Sequence, residues 1–151
     1  MTKQEFLARM HQAKRIWDET ISTFSAPQLL DPATYGDWSL KDLLAHITWY
    51  ESQMVHVLNA RVFESSPLWD LPLDERNAAI HAEIKGLSLE DVLQQSREVY
   101  AELDQLVNWM EEEEFNDPRR FPGMPLEWQP WEVLASNTYE HYEDHSSQLR
   151  H

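Results

Sequence analysis

Apolar residues recur at Phe6, Met10, Ala13, Trp17, Ile21 and Phe24, in steps of three and four. That period predicts a helix of about 22 residues with one buried stripe. Thr2 and Glu5 in front of it have capping-box spacing. Pro27, Pro32 and Gly36 break the chain afterwards. Ser39 with Asp42 repeats the cap, and a second helix is expected from Leu40 to Phe63. Its stripe runs through Leu43/Leu44, Ile47, Tyr50, Met54, Val57/Leu58 and Val62. Pro67 and Pro72 close that region, and a shorter helix follows from Leu73 to Lys85, ending at Gly86. Ser88 caps a third long helix bearing Leu89, Val92/Leu93, Val99/Tyr100, Leu103, Leu106/Val107 and Met110. Residues 116–129 hold Pro118, Pro122, Gly123 and Pro125 and read as an extended crossing loop. Pro130 suits the first position of a last helix, with Trp131, Leu134, Thr138, His141/Tyr142, His145 and Leu149 facing inward.

No segment alternates as a half-buried strand does. Four long amphipathic helices with a short extra one predict an all-α fold, a four-helix bundle, as a single domain over residues 1–151. No internal repeat or low-complexity linker interrupts it.

Composition changes the picture in three ways. The chain has no Cys, which excludes disulfides, thiolate metal sites and a thiol nucleophile of its own. No run is long and apolar enough for a membrane span, and the N-terminus lacks a signal peptide's apolar stretch, so a cytoplasmic protein is expected. The net charge of −15 leads to the expectation of no nucleic acid and no membrane among the partners, because both present anionic surfaces. Glu111–Glu114 is the densest acidic run. Read as the end of the third long helix it opposes the macrodipole, and fraying is expected there.

The chemistry concentrates in histidine. His141 and His145 are four residues apart, which puts both rings on one helix face. His46 lies on or beside the buried face of the second long helix, about two turns past its cap. Inward side chains of facing helices build metal sites in bundles. Three imidazoles with an open position suit a catalytic divalent ion, with Zn²⁺ leading and Ni²⁺ or Fe²⁺ as alternatives. Hydrogen-bonded core histidines are the other reading. Glu51, Glu143 and Asp144 are candidates to orient a ligand ring through its second nitrogen. His11 falls off its stripe, His56 lies about 15 Å along the helix from His46, and His151 is terminal, while His81 on the short helix is expected at the surface, although it could line a pocket mouth.

Trp38-Ser39-Leu40-Lys41-Asp42-Leu43-Leu44-Ala45-His46 resembles a motif of the DinB-like (DinB/YfiT-like) superfamily, and Asn137–His145 resembles that superfamily's final H-x-x-x-H helix. The resemblance implies an up-down-down-up bundle with a long crossover, and a divalent metal held by His46, His141 and His145. It further implies a metal-dependent enzyme, transferring a low-molecular-weight thiol to a small electrophile or hydrolysing one. The wording around Asn137–Tyr142, with Pro125-Leu126-Glu127-Trp128 before it, is also similar to the ClbS/DfsB-like branch. Some members of that branch open electrophilic small rings by hydrolysis, and the best-known of them lack the full triad. Trp38, Trp49, Tyr50 and Tyr142 are candidates to line a substrate pocket, core packing being the alternative. A non-catalytic protein that binds metal or a small molecule remains a second reading. Surplus aromatic surface makes a homodimer conceivable.

Overall fold

The computed structural model describes residues 1–64 and 66–149. Helix α1, Lys3–Ser22, starts where the sequence places it: the Thr2 hydroxyl accepts from the Glu5 N–H at 3.1 Å, and the Glu5 carboxylate accepts from the Thr2 N–H at 2.9 Å. A short helix α2, Ala26–Leu30, occupies part of the expected break, because Ser25 and Gln28 form a second capping box around Pro27. Helix α3, Leu40–Ala60, opens on the Ser39–Asp42 box and stops before Phe63, where Arg61 turns left-handed at φ 54°. A 3₁₀ turn, Pro67–Asp70, leads into α4, Leu73–Ile84, and Ser88 caps α5, Leu89–Trp109.

Two expectations need correction. The acidic run does not fray at the end of α5. Glu111 caps a new short helix α6, Glu112–Asn116, so the acids stand at a helix N-terminus, where the macrodipole favours them. The last helix is also not continuous. It divides into α7, Pro130–Ser136, and α8, Tyr139–Leu149. At the joint Asn137 Nδ2 donates to Val133 O at 2.8 Å and Thr138 Oγ1 to Leu134 O at 2.7 Å. Side chains that take carbonyls of the preceding turn compete with the helical ladder and bend it.

The contacts give the helix directions. Phe6 meets Tyr139 and Trp17 meets Tyr142, so α1 and α8 run parallel. Lys41 reaches Leu87 O at the start of α5, and Asn59 reaches Glu102 further along it, so α3 and α5 run parallel. Lys3 bonds Met110 O while His11 pairs with Asp104, so α1 opposes α5. The arrangement is up-down-down-up, with α4 carried on the long crossover between α3 and α5. α8 packs along α1, and α3 along α5. Phe6, Met10, Trp17, Leu40, Leu103 and Tyr139 form part of the core between them. No strand occurs among the described residues, and no helix there is long and apolar enough to cross a membrane.

Candidate metal centre

One turn of α8 separates His141 from His145, whose ring centres lie 4.7 Å apart. Helix α3 places His46 against both, at 5.1 Å and 5.7 Å. Each ring offers one nitrogen such that all these nitrogens lie within 4.8 Å of one another. Nδ1 of His46 and Nδ1 of His141 are buried without a hydrogen-bond partner among the described residues. Such atoms are costly unless something satisfies them, and a cation ligated through Nδ1 would do so. His145 differs: its Nδ1 lies 3.2 Å from the Tyr35 hydroxyl and 3.1 Å from Gln148 Oε1, and the Tyr35 hydroxyl in turn touches Gln148.

Burial lowers His46 to about 3 and His141 to about 2, with the neighbouring rings adding to the effect. His145 is lowered by burial too, against the opposing influence of Gln148 and Asp144. At neutral pH the triad is therefore uncharged, the state in which imidazole ligates. An unfolded His protonates near 6.5 and these folded rings do not. Acid thus favours the unfolded chain, and the metal-free protein is expected to lose stability as pH falls from 6.5 toward 3. Thermal melting at successive pH values checks this; a midpoint that holds steady across that interval contradicts the burial of neutral rings.

A cavity of about 380 Å³ opens beside the triad, lined also by Tyr50, Trp69, Leu73, Arg76, Asn77, Ser136 and Asn137. A second, of about 310 Å³, adjoins His46 and His145 on the side of Tyr35, Asp37 and Trp38. Gly36, at φ 62°, makes the tight turn that pairs Tyr35 with Trp38 and aims both at the histidines. Of the pocket candidates, Tyr50 lines the first cavity, edge-on to His46 and His141, and its hydroxyl donates to Asn77 Oδ1 at 2.8 Å. Trp38 lines the second, edge-on to His46 and stacked on His81 at 4.8 Å. His81 in turn lies 3.2 Å from Asp42, half-buried, and lines neither cavity. Trp49 is one layer out, against Tyr50 and Trp69. Tyr142 lines neither cavity. One residue past His141 is about 100° round the helix, and its ring faces Trp17 and Tyr100.

The candidate orienting acids lie elsewhere. Glu143 pairs with Arg9, Asp144 is exposed, and Glu51 is buried beside Tyr142 without a hydrogen-bond partner for Oε2. Burial raises Glu51 to about 7, against the lowering influence of the Tyr142 hydroxyl and Lys14. A carboxyl that holds its proton more tightly when folded loses stability as pH rises from 4.5 through 7. Glu51→Gln is therefore expected to stabilise the protein by about 3 kcal/mol at pH 8 and hardly at all at pH 4.5. Chemical denaturation at the two pH values reads this directly, and an equal effect at both would contradict the assignment.

Tyr35, Trp69, Arg76, Asn77 and Gln148 escaped the sequence reading. Asn77 had a signal: its spacing from Ile80 and Ile84 sets it on the side of α4 that those buried residues occupy.

The chain matches the sequence profile of the DinB superfamily over residues 4–149. A solved structure of a protein from Streptococcus pneumoniae superposes with TM-score 0.80 at 14% identity, covering 99% of this chain and 89% of that one. DfsB, described as a sibling lethal factor precursor, gives 0.78 at 12% identity, covering 99% and 94%. The colibactin self-resistance protein ClbS, solved in complex with a dsDNA, gives 0.80 at 14% identity, covering 99% and 93%. No curated protein matches the chain in sequence. The ClbS complex overturns the expectation that excluded nucleic acid: a bundle of this fold is seen on a duplex. A net charge sums the whole surface and does not describe the potential of any one face.

Proposed function

The chain belongs to the DinB superfamily, which is generally metal-binding, and on that footing we propose that it is a divalent-metal-dependent enzyme acting on a small electrophilic molecule, by transfer of a low-molecular-weight thiol or by hydrolysis. The observation that carries this reading is the meeting of three neutral imidazoles, one buried and two half-buried, two of them with an unpartnered nitrogen, at the wall of a cavity. His46, His141 and His145 would hold the ion, with Zn²⁺ first and Ni²⁺ or Fe²⁺ next by donor type. When bound, such an ion supplies Lewis acidity, acidifying a thiol or water and polarising an electrophilic centre.

The protein's own residues do the rest. Burial keeps the rings unprotonated. Gln148 and Tyr35 hold Nδ1 of His145, which leaves Nε2 for ligation. Tyr50 and Trp38 wall the two cavities and restrict water. The thiol must come from outside, since the chain has no Cys. Tyr35→Phe, which removes one of two partners of His145, is expected to weaken metal affinity about tenfold. Competition against a chromogenic chelator measures it, and unchanged affinity would show that Tyr35 does not support the ligand.

Metal analysis of tag-free protein, followed by a screen for thiol conjugation of haloaromatics and epoxides, tests the proposal. It expects one equivalent of metal and conjugation that disappears in His141→Ala. Conjugation unaffected by that change rules the mechanism out. A non-catalytic binding protein is the second reading, favoured by one observation: among the described residues no carboxylate lines the first cavity to serve as a general base. Tight stoichiometric retention of ligand without product would select it.

A further inference from the structure

The cavity beside the histidines has one cationic wall in an otherwise strongly acidic protein. Arg76, half-buried on α4, lies over the Trp69 ring at 4.5 Å. Its Nε donates to Leu68 O at 3.3 Å, and Nη2 donates to Trp69 O at 3.1 Å and Leu71 O at 3.2 Å. These bonds fix the guanidinium plane. Nη1 makes no hydrogen bond of ordinary geometry among the described residues, although the guanidinium lies near enough to the Tyr50 hydroxyl to oppose the upward push of burial on its pKa, and Arg76 lines the cavity. Its neighbour Asn77 lines both cavities. Because the Tyr50 hydroxyl donates to Asn77 Oδ1 at 2.8 Å, the amide presents Nδ2, which has no acceptor among the described residues either. Two preset donors, one charged and one neutral, thus share a cavity with the three imidazoles.

We propose that this cavity takes a ligand with a carboxylate at one end, bound by Arg76 Nη1 and Asn77 Nδ2, and its reacting end at the histidines. The orientation rests on the metal reading above; the anion subsite does not. A guanidinium edge and an amide N–H lining one cavity offer donors to a planar pair of oxygens. The guanidinium also places its charge where the surrounding net charge of −15 would otherwise repel an anion. Trp69 and Leu73 supply apolar wall for the carbon chain between the two ends.

The test compares 3-mercaptopropionate with its uncharged amide, 3-mercaptopropionamide. Cobalt-loaded protein reports thiolate binding through the sulfur-to-cobalt charge-transfer band. The ¹⁵N–¹H signals of the Asn77 side chain report on the subsite in both metal-free and loaded protein. A charge-assisted contact predicts roughly tenfold or greater preference for the carboxylate. Arg76→Gln should abolish that preference. Asn77→Asp, which keeps an acceptor for Tyr50 but adds a negative charge, should reverse it, and it serves if Arg76→Gln fails to fold. Equal affinity for the two probes in the wild type overturns the proposal and leaves Arg76 as a clamp on the 3₁₀ turn. A preference that persists in Arg76→Gln also overturns it, since the cobalt itself would then be taking the carboxylate. Failure to load cobalt counts against the metal reading alone, because the Asn77 signals of metal-free protein still decide whether the carboxylate is preferred.

Discussion

Protein carrying His141→Ala will bind divalent metal at least about 100-fold more weakly than wild type, a larger loss than an outer-shell change produces. His141 is one of three rings whose nitrogens come within 4.8 Å of each other, and its Nδ1 has no hydrogen-bond partner to lose. The alanine therefore removes a ligand without breaking a hydrogen bond. The consequence is visible in stability. Metal present at 1,000 times its dissociation constant stabilises the native state by about 4 kcal/mol, and a 100-fold weaker site by only about 1.4 kcal/mol. For a chain of this size the difference is a fall of several degrees, roughly 5–10 °C, in the metal-induced rise of Tm. The two metal-free proteins should melt at similar temperatures. A metal-induced rise that survives His141→Ala intact would place the ion elsewhere.

Trp17→Ala has the opposite signature. Trp17 is 1% exposed and packs on Tyr142 with ring centres 6.2 Å apart, joining α1 to the face of α8 that turns away from the histidines. Truncating a large buried aromatic typically costs about 3–5 kcal/mol through lost burial and the cavity left behind. Tm should fall by roughly 10 °C or more. Metal stoichiometry, measured well below the new midpoint, should remain that of the wild type, because the imidazoles lie on the other face. Loss of metal in the folded variant would mean that α8 is held in register for ligation by this contact.

The parts of this fold visible in the sequence are those that local rules govern. Thr2 with Glu5, Ser39 with Asp42, and Ser88 announce helix starts that the hydrogen bonds confirm. The stripes of α1, α3 and α5 give the core. His46 with the His141/His145 pair gives the constellation, because four-residue spacing fixes two of the rings relative to each other. What the sequence hid was set by nonlocal or competing effects. The break at Asn137–Thr138 arises where side chains outcompete backbone for carbonyls, inside a stripe that reads as continuous. Glu111–Glu114 sits at a new helix start only because the chain turns at Met110. Arg76, Trp69 and Tyr35 reach the cavity from a crossover and a loop whose positions no local periodicity encodes. Tyr142 stands next to His141 in sequence, but α8 buries two faces and this ring belongs to the one packed on Trp17. The net charge misled about partners for a similar reason, as a total carries no information about location.

The central claim is that His46, His141 and His145 share one cation. X-ray absorption at the zinc edge, on tag-free protein loaded with one equivalent of Zn²⁺, tests it most directly. A first shell containing three imidazole nitrogens at about 2.0–2.1 Å, with the outer-shell scattering of the rings, is expected, falling to two imidazoles in His46→Ala. A first shell of oxygens, or one that His46→Ala leaves unchanged, would contradict it.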